Sequence, residues 1–177
     1  RNGIFARKFF SLNLFSLIII IYRRRWNQLT ADLVLRNAKI YAYGQVIEAG
    51  LAIDGDRIVK IAKETNLPSA SEEMNVKGLL VLPGLIDAHV HLRDEGQGYK
   101  EDFFTGTAAA ANGGVTLAID MPNNRPVTMD IATLRKRMSL AAEKSIVNVA
   151  LRAAFPERIK EIQGLIQVGA KGFKLFM

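Results

Sequence analysis

From Gly84 to Met177 short apolar, β-branched runs alternate with longer alanine-rich or amphipathic ones, and this alternation restricts the chain to a parallel-sheet architecture. Strands are expected over residues 85–92, 115–120, 146–153 and 171–176. Between them the pattern predicts a helix over 101–112 closed by Gly113-Gly114, and a second over 130–144 with Asp130 as its N-cap. A third helix is expected to open at Pro156-Glu157 and run to Val168. Four strands and three helices make the first half of a (β/α)8 TIM-type barrel, which needs about 250 residues in full. A half barrel leaves an unpaired edge and an uncovered apolar interior, so a chain of 177 residues reads as incomplete. A doubly wound open sheet is the alternative, but no glycine fingerprint for phosphate or dinucleotide follows the first strand.

Upstream, residues 31–82 read as short strands and turns. Residues 32–41 alternate in part, Asp54-Gly55 is a hairpin signal between apolar runs, and 75–82 is a strand candidate before Pro83-Gly84. Residues 1–30 stand apart: they hold six basic side chains (Arg1, Arg7, Lys8, Arg23, Arg24, Arg25) and no acidic one. The formal charge of +7 therefore reduces to 18 basic against 17 acidic residues in the remainder, which gives no electrostatic case for nucleic acid. The apolar run from Phe9 to Tyr22 has fourteen residues. As a helix it spans roughly 21 Å, short of the ~30 Å hydrocarbon core. Arg-Arg-Arg-Trp stands where a signal peptide needs small residues. The segment is expected to be an extension outside the fold rather than a membrane anchor.

The chemistry concentrates at strand ends. Both histidines fall in Asp87-Ala-His-Val-His-Leu-Arg93. In an extended strand His89 and His91 point to one side, about 7 Å apart, with Asp87 and Arg93 on that face and Ala88, Val90 and Leu92 on the apolar one. Paired neutral imidazoles suit a divalent transition metal, although two histidines on a strand also serve packing alone. With no cysteine in the chain, any metal must be held by histidine, carboxylate or modified lysine. Asp120-Met-Pro-Asn-Asn124 follows the second strand, and in Gly172-Phe-Lys-Leu-Phe176 alternation sends Lys174 away from Phe173 and Leu175.

These three segments resemble the first, second and fourth strand signatures of the amidohydrolase superfamily, and within it the dihydroorotases most closely; the resemblance runs from about Ala31 to Met177. It implies barrel strands 1–4 over residues 83–177, preceded over 31–82 by the N-terminal strands of a small β-sandwich domain. It implies zinc, one or two ions per subunit, held by His89, His91 and a carboxylated Lys174, although some dihydroorotases bridge their metals with an aspartate instead. Substrate binding falls to Arg93, whose planar fork suits a carboxylate, to Asn123 on the same carboxylate, and to His91. Asp87 and Asp120 are expected to support the site, and Asn124 and Arg125 to be loop structure. The general acid/base aspartate is expected beyond Met177, so the chain alone is expected to be inactive.

The reaction implied is the reversible, zinc-dependent conversion of N-carbamoyl-L-aspartate to (S)-dihydroorotate and water in pyrimidine biosynthesis. The alternatives are a hydantoinase- or allantoinase-like cyclic amidase, and a non-catalytic dihydroorotase-like assembly subunit. A cytoplasmic enzyme with a small-molecule substrate is expected, with a homo-oligomer or a pyrimidine-pathway partner left open.

Overall fold

Strand β1 (Ala31–Ala42) organises the first of two units in the computed structural model, which describes residues 30–177; the expectations for the basic and apolar N-terminal segment lie outside the described residues. It pairs antiparallel with β2 (Gln45–Asp54) across Tyr43-Gly44, both with positive φ (53° and 79°), the two-residue turn that matches strand twist. β2 returns antiparallel to β3 (Arg57–Ala62). The hairpin signal lies one residue from the turn it marks, because Asp54 pairs with Arg57 and Gly55-Asp56 make the bend. On the other edge of β1, β4 (Ala70–Asn75) and β5 (Leu80–Val81) run parallel to it, so the sheet order is β3-β2-β1-β4 with β5 beside β1. The strand expected over 75–82 is thereby corrected: a turn with Lys77 and Gly78 at positive φ interrupts it. β4 was invisible in the sequence because its residues are largely polar and exposed, with no alternation.

The second unit, Leu82–Met177, carries the β-α alternation. Its elements are β6 (Leu85–Val90), α1 (Phe103–Asn112), β7 (Val115–Asp120), α2 (Ile131–Lys144), β8 (Asn148–Leu151), β9 (Ala153–Ala154), α3 (Glu161–Val168) and β10 (Phe173–Lys174). β6, β7 and β8 are parallel neighbours in that order; Arg152 alone separates β8 from β9, and β9 pairs in parallel with β10. Parallel neighbours thus follow chain order. The fold is mixed α/β with sheets and three helices among the described residues.

Local chemistry fixes the element ends. Asp102 and Asp130 cap α1 and α2, accepting the backbone N–H of Thr105 (2.7 Å) and Thr133 (2.8 Å), while each threonine hydroxyl reaches back to the cap N–H. The first helix therefore starts two residues later than expected. α3 does not open at Pro156: the N–H of Phe155 still donates to Lys174 O, keeping the chain extended, and the helix begins at Glu161 without a side-chain cap. The third strand also starts late, since the N–H of Ile146 is taken by the Thr107 hydroxyl (3.0 Å). The fourth shortens to Phe173–Lys174.

The core of this unit lies between helices and strands. Leu92, Phe103, Ala118, Leu134, Leu151, Ala153 and Leu165 are buried in it, with Val90 and Phe173 packed against them. Their strand neighbours of opposite parity, His89 on β6 and Lys174 on β10, therefore point away from that core.

Candidate metal and substrate site

β6 ends at Val90, so His91 and Arg93 lie beyond the strand that was expected to carry them to residue 92. The cause is competition for backbone groups. The N–H of Leu92 donates to Asp120 Oδ1 (2.8 Å), and the carbonyl of Arg93 accepts from Arg137 (2.9 Å). The chain leaves the ladder and turns through Arg93 and Asp94, both left-handed (φ 51° and 53°). Arg93 is therefore placed by a turn, not by strand alternation.

The two histidines remain together, their ring centroids 5.3 Å apart. Lys174 arrives from β10, with Nζ 3.5 Å from His89 Nε2 across a sequence separation of 85. His89 is exposed, whereas His91 and Lys174 are half-buried. Burial first, then the positive charges of Arg93 and Lys174, hold the His91 imidazole below its ordinary pKa; Asn123 opposes them, favouring the protonated ring. Yet His91 Nδ1 and Asn123 Oδ1 are both buried without a hydrogen bond of normal geometry. Asp87 accepts the N–H of His89 (3.0 Å), so its carboxylate shapes the backbone leading into that histidine.

Arg93 and Asn123 are also brought together: Arg93 Nη1 lies 3.5 Å from the Asn123 carbonyl and donates to Gln97 Oε1 at 3.1 Å. The neighbouring acids are committed elsewhere, Asp94 to Lys144 (3.0 Å) and Glu95 to Lys136 (3.2 Å) and Arg137 (3.3 Å). Among the described residues no carboxylate pairs with Arg93. Asn124 is a buried loop post, donating to Glu95 (3.2 Å) and to Pro126 O (2.8 Å) while accepting from Thr128 (3.0 Å). Gly96, at φ 68°, leaves room for the Arg125 carbonyl, which a Cβ would meet at 2.7 Å.

For a metal, the donor set is two imidazoles and an amine; no cluster of three histidine or carboxylate residues exists among the described residues. The orphaned, buried His91 Nδ1 and the suppressed protonation of that ring are consistent with neutral imidazole ligands. These residues fit part of a divalent-ion site.

Sequence reasoning missed three residues here. Arg137 is fully buried, its guanidinium 4.6 Å from the Phe103 ring centroid, and donates to Asp120 at 2.6 and 2.9 Å. Its spacing from Leu134 and Ala141, on the apolar face of α2, was the available signal. Gln97 is buried in the loop after β6. Arg152, between the apolar Leu151 and Ala153, has a buried Nε without a partner and would touch a Cβ at Gly172 (3.7 Å).

The chain is similar to known proteins over most of the described residues. A sequence profile of the Amidohydrolase family matches residues 80–166. A dihydroorotase from Methanothermobacter thermautotrophicus is 38% identical over 146 residues, 82% of this chain and 32% of that protein. One from Streptococcus pyogenes is 40% identical over 129 residues, 71% of this chain and 30% of that protein. The structure of L-hydantoinase (dihydropyrimidinase) from Arthrobacter aurescens superposes with a TM-score of 0.77 at 27% identity, covering 81% of this chain and 32% of that one. The chain thus spans about a third of the length of the curated relatives it matches.

Proposed function

Because the chain is a dihydroorotase/hydantoinase-like member of the amidohydrolase family, we propose that the full-length protein is a metal-dependent cyclic amidohydrolase of the dihydroorotase type. It would interconvert N-carbamoyl-L-aspartate and (S)-dihydroorotate. The observation that carries this reading is the convergence of His89, His91 and Lys174 beside Arg93, a guanidinium without a carboxylate partner among the described residues. We assign barrel strands 1–4 to residues 83–177 and the strands of a small β-sandwich domain to 31–82.

His89, His91 and Lys174 would hold one or two zinc ions. A bound ion supplies Lewis-acid polarisation of an amide carbonyl and makes a water more acidic. Burial and Arg93 hold the His91 imidazole below its ordinary pKa, which favours the form with a free lone pair. Lys174 serves best as a carbamate: its neutral amine attacks carbon dioxide, a nitrogen–carbon bond forms and an N–H proton leaves, giving an anionic oxygen donor. Arg93 grips the ring carboxylate through its planar fork, and the Asn123 amide hydrogen-bonds the same group. Proton transfer to the departing ring nitrogen is assigned to an aspartate outside residues 83–177. A small-molecule enzyme of the cytoplasm suits this chemistry; no helix among the described residues is long and apolar enough to cross a membrane.

The test is metal content and dihydroorotate hydrolysis by the full-length protein. One or two divalent ions per subunit are expected, with both ion and activity lost in His89→Ala. A protein that hydrolyses the ring equally well without metal, or holds none, overturns the reading. The likeness to a hydantoinase structure supports a second substrate class. Arg93→Met separates the two: it cripples hydrolysis of a carboxylate-bearing ring and spares that of a hydantoin.

A further inference from the structure

We propose that Arg137 and Gln97, neither of which would touch substrate, are positioning residues that set the pose of Arg93. The proposal rests on the dihydroorotase-type reading, in which Arg93 grips the substrate carboxylate. Arg137 stands on α2, but its donors converge on the turn after β6. Nε and Nη2 bind Asp120 Oδ2 (2.9 and 2.6 Å), and Nη1 binds the Arg93 carbonyl (2.9 Å). The second oxygen of Asp120 accepts the N–H of Leu92 (2.8 Å). One buried ion pair therefore holds the donor just before Arg93 and the acceptor of Arg93 itself.

That grip has a purpose beyond packing. Arg93 and Asp94 are consecutive left-handed residues, a backbone state that non-glycine residues keep only where their surroundings over-determine it. The Arg137–Asp120 pair holds the backbone on the Arg93 side of that turn, while Asp94 is held through its own N–H to Glu101 O (3.0 Å) and its carboxylate to Lys144 (3.0 Å). Gln97 completes the arrangement at the far end: it is buried, its N–H donates to Asp94 O (2.9 Å), and its Oε1 accepts from the Arg93 guanidinium (3.1 Å). Main chain and fork are thus fixed separately. A buried pair is by itself weak evidence of a stabilising role, because desolvation offsets most of its attraction.

The experiment is a double-mutant cycle on the full-length protein, with dihydroorotate as substrate and the thermal midpoint as a folding control. Arg137→Lys keeps a charge opposite Asp120 but lacks a fork that spans Asp120 and the Arg93 carbonyl together. It is expected to raise KM about tenfold with kcat little changed, and to add nothing in the Arg93→Met background. Gln97→Ala is expected to behave the same way with a smaller rise, and it decides the matter if Arg137→Lys does not fold. Equal losses with and without Arg93 would overturn the proposal while leaving the dihydroorotase reading intact. An unchanged KM in Arg93→Met alone would overturn both.

Discussion

Asp120 is a carboxylate with 1% of its side chain exposed, opposite an arginine equally buried. Burial pushes its pKa up, and Arg137 and the N–H of Leu92 pull it back. Such a pair resists the loss of one member more than its own net worth suggests. Asp120→Asn keeps the shape but leaves the buried guanidinium with only the longer Glu95 contact (3.3 Å) as counter-charge, at a cost of about 3 kcal/mol. The expected outcome is a clear fall in the thermal midpoint of the full-length protein; a change within error would mean that water reaches Arg137. Residues of this kind mark the limit of what the chain discloses. His89 and His91 could be picked out because they are the two histidines of the chain and stand two positions apart, and Lys174 because its segment resembles a family signature. Arg137 follows Arg135 and Lys136 in an ordinary-looking basic stretch, and only its position in line with Leu134 and Ala141 separates a buried guanidinium from a solvated one.

At the scale of elements, termini were legible where a side chain supplies the missing hydrogen bond and obscure where the backbone of another element does. Asp130 was identifiable as a cap because the acceptor for the Thr133 N–H is its own carboxylate. The start of α3 was not, because the pairing of Phe155 with Lys174 O, a tertiary contact, decides how long the chain stays extended. The caps have a measurable pH signature. The N–H and hydroxyl of Thr133 hold the Asp130 carboxyl below its ordinary value of 3.8. A depressed folded pKa contributes stability that is complete above the unfolded value and vanishes as pH falls through the folded one. The first turn of α2 should therefore keep its protection at neutral pH and lose it below that ordinary value. Amide exchange at Thr133 reports this directly. Asp130→Asn should retain a cap while abolishing the acid step, and Asp130→Ala should cost about 1 kcal/mol at neutral pH. An acid step that survives in Asp130→Asn would assign it to another carboxylate, with Asp102 on α1, depressed by Thr105 in the same way, the first to examine.

In the second unit the parallel order from β6 to β10 was readable because a helix follows β6, β7 and the β8–β9 stretch, and each must return the chain to the same end. What brings the ends of that order together is not a hydrogen-bond ladder but the approach of Lys174 to His89, 85 residues away in sequence. An ion held jointly by these groups would close a long loop, and long loops are where such a clip has most conformational entropy to restrain. Metal should therefore stabilise the protein by mass action, by about 2.7 kcal/mol when the free ion stands a hundredfold above its dissociation constant. Chelation of the full-length protein is expected to lower its thermal midpoint by roughly 3 °C, and zinc to restore it. His89→Ala and Lys174→Met should each remove this metal-dependent difference while changing the metal-free midpoint little, since the side chain of His89 is exposed and that of Lys174 is only half-buried. Amide exchange should slow on zinc addition at β10 and at the end of β6 before it slows elsewhere. A metal shift that persists in His89→Ala would place the ion on other residues and separate the strand arrangement from the chemistry assigned to it.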